Sequence, residues 1–475
     1  MAKSMSLTPL AHRRGCPDIE APPSSRLAPR IAFAAALVMA AGLPTVVPGR
    51  LLAWADTLAD QPNGALLAPA AVAVAVMTTL TGLRWTLFFI LSFRGYRQAE
   101  RAPTTLDAWP FVSVLVPAYN ESETIANALE SLTRLDYPHY EIIVVDDGST
   151  DDTFARARRY AGRYDRCEVR VLTKSNGGKW SAHNFALRHA RADLLLCVDA
   201  DSGLEPQALR YMVARTADPT ALAVSGQIRV RNRVNTLTRL QGLEYLMGNG
   251  SMRMAQSCSG CVLVIPGPIG LFRRRVLEEI HLRWGRPDGS CEPGKVAGPF
   301  TPDTFAEDFD LSAAVLTLGE RNVYEPRAIS RTKAPDWPLP LLNQRYRWSR
   351  GTLQVLRKFF TRVWRHPELR HGRVIAWMLG TYVIDLLVMP LGYLIGGGLT
   401  ATYLLAGGSP GQLLLAYLPF WLMMVNAGIF FTVVHRDELP VLAVLPLYDL
   451  YQGLLLNFSW LLALYDEVRG ARMRW

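Results

Sequence analysis

Cysteine is scarce, with six in 475 residues. So few in so long a chain cannot staple a small secreted domain, and a reducing compartment suits them. Cys258-Ser259-Gly260-Cys261 has metal-ligand spacing, yet no second pair answers it, so packing rather than zinc is its expected role. Charge is also scarce: 19% of residues are charged against 50% hydrophobic. A chain of this length and composition is too long for one ordinary domain and too apolar to be wholly soluble. The net charge of +10 is not accompanied by a zinc-finger or RNA-recognition signature. Nucleic acid is therefore not the expected partner, and the basic excess suits an anionic membrane surface or nucleotide phosphates.

Long apolar runs are what the chain has in abundance. Residues 31 to 47 follow Arg13, Arg14, Arg26 and Arg30 and are near the spanning minimum of roughly 17 residues. A second run, Ala65 to Phe93, comes at once, which favours two spanning helices over a cleaved signal. Arg84 inside it is expected to snorkel to one interface. Basic residues before the first run, and Arg94, Arg97 and Arg101 after the second, both ask for the cytoplasmic side, which places the middle of the chain there. Val374 to Leu405, Gln412 to Val434 and Pro440 to Tyr465 are apolar enough to enter a bilayer. Three crossings would put Arg469, Arg472 and Arg474 outside against the charge rule, so the total is five or six helices. Asp385 and Asp449 lie within these runs, where an ionisable group lines a polar path or bonds a neighbouring helix.

Between the apolar runs the pattern changes. Phe111 to Val116 reads as a strand, Glu121 to Leu132 as a helix and Glu141 to Val145 as a second strand; a helix over Asp152 to Tyr160 and strands at Val169 to Leu172 and Leu194 to Val198 follow. Alternation of this kind predicts an α/β fold with a doubly wound, mostly parallel sheet. Ligands of such sheets bind outside the carboxyl ends of the strands, where Asn120-Glu121, Asp146-Asp147 and Asp199 to Asp201 all fall.

Each of these segments has a plain reading. Asp146-Asp147-Gly148-Ser149 makes a turn and a helix cap; Gly177-Gly178-Lys179 makes a flexible loop; Asp199-Ala200-Asp201 caps a helix. Each also has a chemical one. Glycines let a backbone approach phosphate with a cation at its end, and two carboxylates one residue apart at a strand end can share a divalent cation with a diphosphate. Past Gln344-Arg345-Tyr346-Arg347-Trp348, Leu353, Leu356, Phe360 and Val363 fall on one helix face among Arg350, Arg357, Lys358 and Arg362, as in an interfacial helix.

Their order removes most of the ambiguity. Val116 to Glu121, Asp146-Asp147-Gly148, Gly177-Gly178-Lys179 with Asp199-Ala200-Asp201, Glu307-Asp308, and Gln344 to Trp348 together resemble the processive family-2 glycosyltransferases, membrane synthases of cellulose, chitin, hyaluronan and poly-N-acetylglucosamine. The resemblance covers roughly residues 111 to 365. It implies a GT-A-like domain in which Ala118, Tyr119, Glu121 and Asp147 hold the uracil and ribose of a UDP-sugar and Lys179 lies by the nucleotide. Asp199 and Asp201 hold Mg²⁺ or Mn²⁺, Asp308 is the base, Arg347 faces the diphosphate, and Gln344 and Trp348 floor the acceptor sugar. Gly267 and Gly270, within Ile265 to Arg274, match an acceptor-side loop. Ala306 stands where the family writes threonine before Glu307-Asp308.

The resulting division is a cytoplasmic tail (1–30), two transmembrane helices (31–93), a linker (94–110), the glycosyltransferase domain (111–340), the QxxRW motif with its interfacial helix (341–373) and C-terminal transmembrane helices (374–475). The expected activity is inverting, processive transfer from a UDP-sugar to a β-linked polysaccharide with export, at the inner membrane and open to accessory export subunits. UDP-N-acetylglucosamine is the expected donor, although Trp348-Ser349-Arg350-Gly351 with Gln354 also resembles the cellulose branch and hyaluronan-type synthesis is a further variant. A chain ending at Trp475 leaves no room for the cyclic-dinucleotide-binding barrel of bacterial cellulose synthases. A non-processive lipid-linked transferase and a catalytically silent nucleotide-binding scaffold are the rivals; the QxxRW motif speaks against the first, and the intact acidic residues against the second.

Overall fold

A computed structural model describes residues 64–284, 298–405 and 436–471, with a few isolated positions outside these ranges. Apart from Ile31 and Ala34, the first expected span, 31–47, lies outside the described residues, as do the run 412–434 and the side chain of Asp449.

Nine strands form one sheet: β1 Val112–Ala118, β2 Tyr140–Asp146, β3 Gly162–Arg163, β4 Cys167–Thr173, β5 Leu194–Cys197, β6 Gly203–Leu204, β7 Ala221–Val230, β8 Gly270–Arg273 and β9 Arg321–Thr332. Their spatial order is β3-β4-β2-β1-β5-β8-β7-β9-β6. The long pairings, β1 with β2, β2 with β4, β1 with β5 and β7 with β9, are parallel. Short antiparallel pairings join β8 to β5 and β7, β3 to β4 and β6 to β9. The doubly wound pattern thus holds for the first half and gives way to a mixed second half that the alternation does not reveal.

β1 and β2 are buried throughout because both faces of the sheet are covered. Val112, Val114 and Val116 pack with Ile125, Leu129 and Leu132 of one flanking helix. Leu115, Ile143 and Val145 point the other way, to Ala182 and Ala186 of the helix Lys179–His189. Strands covered on both faces are apolar at most positions, which is why these runs do not alternate with polar residues; the buried exceptions Ser113 and Glu141 bond each other at 2.6 Å. The helix expected from Glu121 starts at Ile125, because Glu121 to Thr124 are spent in a turn closed by the Thr124 and Ile125 N–H groups on the Glu121 carbonyl.

A 37-residue helix, Gly64–Glu100, contains the second expected span. Val72, Val76, Leu80, Leu83, Leu87 and Ile90 are exposed on it, while Ser92 donates to the Ser251 carbonyl at 2.8 Å. Arg84 does not snorkel: its guanidinium meets the Asp385 carboxylate at 2.7 Å, which gives Asp385 its helix-to-helix bond. Among the described residues, Gly372–Leu405 is long and apolar enough to cross a bilayer, and Pro440–Leu447 with Tyr451–Val468 forms a second candidate bent by 64°.

The helix Pro338–Arg365 differs from its expected interfacial role. Val355, Leu356, Phe359 and Val363 are buried against Phe309, Ala313, Val374 and Trp460. Its apolar face is satisfied by protein, with Leu353 and Phe360 packed at the edge of the same cluster. Cys258 and Cys261 are free thiols, the latter buried, and among the described residues no group of three or more His, Cys, Asp or Glu side chains could hold a metal ion.

Candidate active site

Strand register assembles the crevice. Ala118 at the end of β1 pairs with Asp146 at the end of β2, which pairs with Thr173 of β4. On the other flank the Val198 N–H donates to the Leu115 carbonyl, so the segment through Asp201 leaves the sheet beside the β1 terminus. The candidate acidic residues therefore converge at the carboxyl edge, where parallel strands leave backbone groups and loop residues open to a ligand.

Asn120 turns the chain there. It has φ of +55°, a conformation that asparagine tolerates better than most residues because its side chain bonds locally. Its Oδ1 accepts the Thr150 N–H at 2.9 Å and its own N–H donates to Ser149 Oγ at 3.0 Å, tying the β1 turn to the β2 turn. The turn leaves Tyr119 48% exposed at the crevice. Ala118 is buried and its carbonyl accepts the Asp147 N–H at 2.8 Å, so it shapes the crevice from below. Glu121 accepts from Thr124 Oγ1 at 2.5 Å; burial and the nearby charge of Asp201 raise its pKa above the ordinary glutamate value against that bond.

Asp147 is fully engaged. Its carboxylate accepts Lys174 Nζ at 2.6 Å, the Gly177 N–H at 3.1 Å and the Gly178 N–H at 2.7 Å. Asn176 Nδ2 adds a bond to its carbonyl at 3.0 Å. Gly178, with φ of +88°, allows this wrap and starts the helix that carries Lys179. In this arrangement the aspartate organises the Lys174–Lys179 loop. Lys174 is a residue that the motif reading passed over, since nothing local in the sequence marks it.

Lys179 stands between two carboxylates, 2.9 Å from Asp199 and 2.9 Å from Glu307. Burial works against its charge, but Asp199, Glu307 and Asp308 outweigh it and hold the pKa well above the ordinary lysine value. Burial and the adjacent Asp201 push Asp199 up to about 6 against the pull of Lys179. Burial would raise Glu307 as well, but Lys179 prevails and lowers it. Asp201 accepts a bond from Ser202 Oγ at 2.7 Å.

Asp308 opens the helix Glu307–Thr317 and its carboxylate accepts the Gly267 N–H at 3.2 Å. Burial and the neighbouring negative Glu307 raise its pKa, more than Lys179 and two backbone N–H groups lower it. Gly267 is necessary here: a Cβ would stand 2.7 Å from Lys179 Nζ and 2.9 Å from Asp199 Oδ1. Gly270 does not share this position. It lies inside β8 between Cys197 and Ser225, and a Cβ would meet Ile265 Cγ2 at 2.7 Å, so packing rather than an acceptor sugar demands glycine.

Trp348 is 41% exposed. Its indole stacks with the ring of Tyr245, centroids 6.5 Å apart at 29°, and the Arg345 guanidinium lies 4.2 Å over it. Glu244 accepts from Arg345 at 2.9 Å and from the Tyr451 hydroxyl at 2.7 Å, anchoring the stack. Arg347 is exposed, and the Gln344 Oε1 is buried with no hydrogen-bond partner among the described residues. Arg345 was visible within the motif segment but unassigned; Tyr245, in a π-helical turn Tyr245–Gly250, carried no sequence signal.

The donor set at Asp199 and Asp201 suits a hard divalent cation that takes its remaining oxygens from a diphosphate and water, with Lys179 sharing the charge balance.

Residues 113–281 match the family Glycosyl transferase family 2. The chain is 32% identical over 298 residues to an N-acetylglucosaminyltransferase of Rhizobium sp. (strain N33), covering 59% of this chain and 63% of that protein. It is 30% identical over 250 residues to the poly-beta-1,6-N-acetyl-D-glucosamine synthase of Staphylococcus epidermidis, covering 52% and 56%. The chain thus spans between 56% and 63% of the length of these curated relatives. A mannosyltransferase of Pyrobaculum calidifontis, solved with GDP-Man and Mn²⁺, has a TM-score of 0.52 at 24% identity, covering 79% of this chain and 99% of that one, a likeness of fold.

Proposed function

We propose that the protein is an inverting, processive hexosyltransferase that elongates a β-linked polysaccharide from a UDP-sugar, with UDP-N-acetylglucosamine as donor. The observation that carries this reading is the cluster Lys179, Asp199, Glu307, Gly267 and Asp308, with the half-exposed Trp348 carried by the helix that packs against the Asp308 helix through Phe309, Val355 and Phe359. Relatives named for N-acetylglucosamine transfer support the choice of donor.

Tyr119 stacks on the base and Glu121 and Asp147 border it; Lys179 and Arg347 meet the diphosphate. The terminal sugar of the acceptor rests on Trp348. Its hydroxyl oxygen forms the bond to the anomeric carbon as the bond from that carbon to the diphosphate oxygen breaks, the electron pair leaves with UDP, and the proton passes to Asp308. A raised pKa suits Asp308 to accept a proton yet release it to solvent. Asp199 and Asp201 would hold Mg²⁺ or Mn²⁺, which would supply charge compensation at the leaving diphosphate. The single displacement gives inversion. In this reading the protein is a multi-pass protein of the inner membrane, its catalytic domain cytoplasmic and its polymer exported across the bilayer, with or without accessory subunits; the apolar helices Gly64–Glu100 and Gly372–Leu405 support it.

The test is product analysis with purified full-length protein and a panel of UDP-sugars, beside Asp308→Asn. Polymer from UDP-N-acetylglucosamine, lost in Asp308→Asn by roughly 10²-fold or more with UDP binding retained, supports the reading. Transfer of single sugars to lipid, or elongation by Asp308→Asn, overturns it.

A further inference from the structure

The helix that presents Asp308 has no side-chain bond from its N-cap position. Ala306 precedes it and supplies no side-chain bond to its first turn. Helix starts leave N–H groups unmatched, and a side chain at this position ordinarily fixes them. Asp308 Oδ1 itself accepts the Phe309 N–H at 2.8 Å and Thr304 Oγ1 the Ala306 N–H at 3.1 Å, while Phe305, just before the cap position, is held from outside. Gln354 Oε1 accepts the Phe305 N–H at 3.1 Å, and Gln354 Nε2 donates to Glu467 Oε2 at 3.2 Å. The same Glu467 oxygen accepts from Arg350 Nε at 3.0 Å, and the Arg350 guanidinium lies 5.7 Å over the Phe305 ring. Arg350 also donates to the Tyr346 hydroxyl at 3.1 Å and to the Ala471 carbonyl, and Tyr346 donates to Asp466 at 2.7 Å. Gly351 lets the backbones close, since a Cβ there would stand 2.7 Å from Ala306 Cβ.

From this geometry we propose that Gln354 and Glu467 are positioning residues for Asp308, so that the C-terminal helix Asn457–Val468 sets the place of the base. Gln354 lies on the same helix, Pro338–Arg365, that carries Trp348. One rigid element thereby sets the separation of base and acceptor platform, and the last helix of the described chain holds both through Glu467. A single carboxylate shared by Gln354 and Arg350 makes the clamp sensitive to any movement of that last helix. The proposal rests on the reading of Asp308 as the base.

The experiment is a side-chain exchange in the full-length protein. Gln354→Glu keeps the acceptor for Phe305 but sets a carboxylate against Glu467. It is expected to lower kcat by about tenfold to a hundredfold, with donor KM, UDP affinity and Tm close to those of the parent. Glu467→Gln in the Gln354→Glu background restores a donor facing an acceptor and returns kcat to within about threefold of the parent. Parental kcat in Gln354→Glu, no recovery in the double variant, or loss of UDP affinity and Tm in step with kcat overturns the clamp. Should Gln354→Glu fail to fold, Glu467→Ala is read by the same three quantities. Asp308→Asn runs alongside. If it elongates acceptor, the base reading falls and the clamp with it; if it is dead while Gln354→Glu is fully active, the clamp alone falls.

Discussion

The guanidinium of Arg345 lies 4.2 Å over the indole of Trp348 and is held there by the Glu244 carboxylate at 2.9 Å. A planar cation on one ring fixes the orientation of the other face, which is the face a pyranose can use. Arg345→Leu is expected to raise the acceptor KM by about tenfold while UDP affinity stays within twofold, a cation–π and ion-pair contribution of about 1–2 kcal/mol. Arg345→Lys rescues poorly, because an ammonium lacks the plane that stacks. Steady-state kinetics with a defined oligosaccharide acceptor and UDP titration check both.

The charge of Glu307 acts on Asp308 next to it in sequence. Burial and that charge raise the Asp308 pKa, so the acid limb of the kcat profile lies above the ordinary aspartate range and activity is lost as pH falls through it. Glu307→Gln removes the like charge and frees Lys179 to act on Asp308. Both effects lower the Asp308 pKa, and the acid limb moves to lower pH. A pH–kcat profile that stays fixed, or moves upward, contradicts the assignment.

Gly267 is hemmed in by Lys179 and Asp199. A methyl group there presses on Lys179 Nζ at 2.7 Å and Asp199 Oδ1 at 2.9 Å. Lys179 is flexible enough for the fold to absorb it, so Gly267→Ala is expected to cost about 1–3 kcal/mol of stability. The displaced ion pair is the greater loss, with turnover down by about tenfold to a hundredfold. Gly270→Ala, inside β8, is expected to behave oppositely, lowering Tm without a specific effect on donor KM. Thermal unfolding and donor KM measured on the two variants separate the site glycine from the packing glycine.

Glu438 is 1% exposed and faces two arginines, Arg229 at 3.3 Å and Arg233. It ties β7 to the segment Arg436–Leu447, whose Val441 and Val444 pack on Leu240 and Leu243. Removing one member of a buried ion group leaves charge without compensation, so Glu438→Ala is expected to destabilise by about 3–5 kcal/mol. Glu438→Gln, which keeps an acceptor, is expected to cost less. Denaturation in detergent checks the difference.

The parallel half of the sheet was legible because its strands are buried on both faces, and such strands show as apolar runs such as Val112 to Val116. The second half was not. β8, four residues long, owes its antiparallel place between β5 and β7 to pairing partners more than forty residues away, which no local pattern encodes. Lys179, Asp199 and Asp308 could be named from their motif order, and the structure brings these three within one charge cluster. Gly270 shows the opposite case: a glycine in a loop motif and a glycine packed under an isoleucine look the same in sequence.

By itself the sequence determined residue chemistry and its order along the chain: where carboxylates end strands, where glycine frees the backbone and where runs are apolar enough for a bilayer. These depend on neighbours within a few residues, and local patterns carry them. Only the tertiary structure decided which charges face one another. Lys179 between Asp199 and Glu307, Arg345 over Trp348, Arg84 on Asp385 and Gln354 between Phe305 and Glu467 are contacts across elements. The apolar face of Pro338–Arg365 was likewise readable as a pattern but not as a partner, because lipid and Phe309 satisfy a hydrophobic surface equally until packing chooses between them.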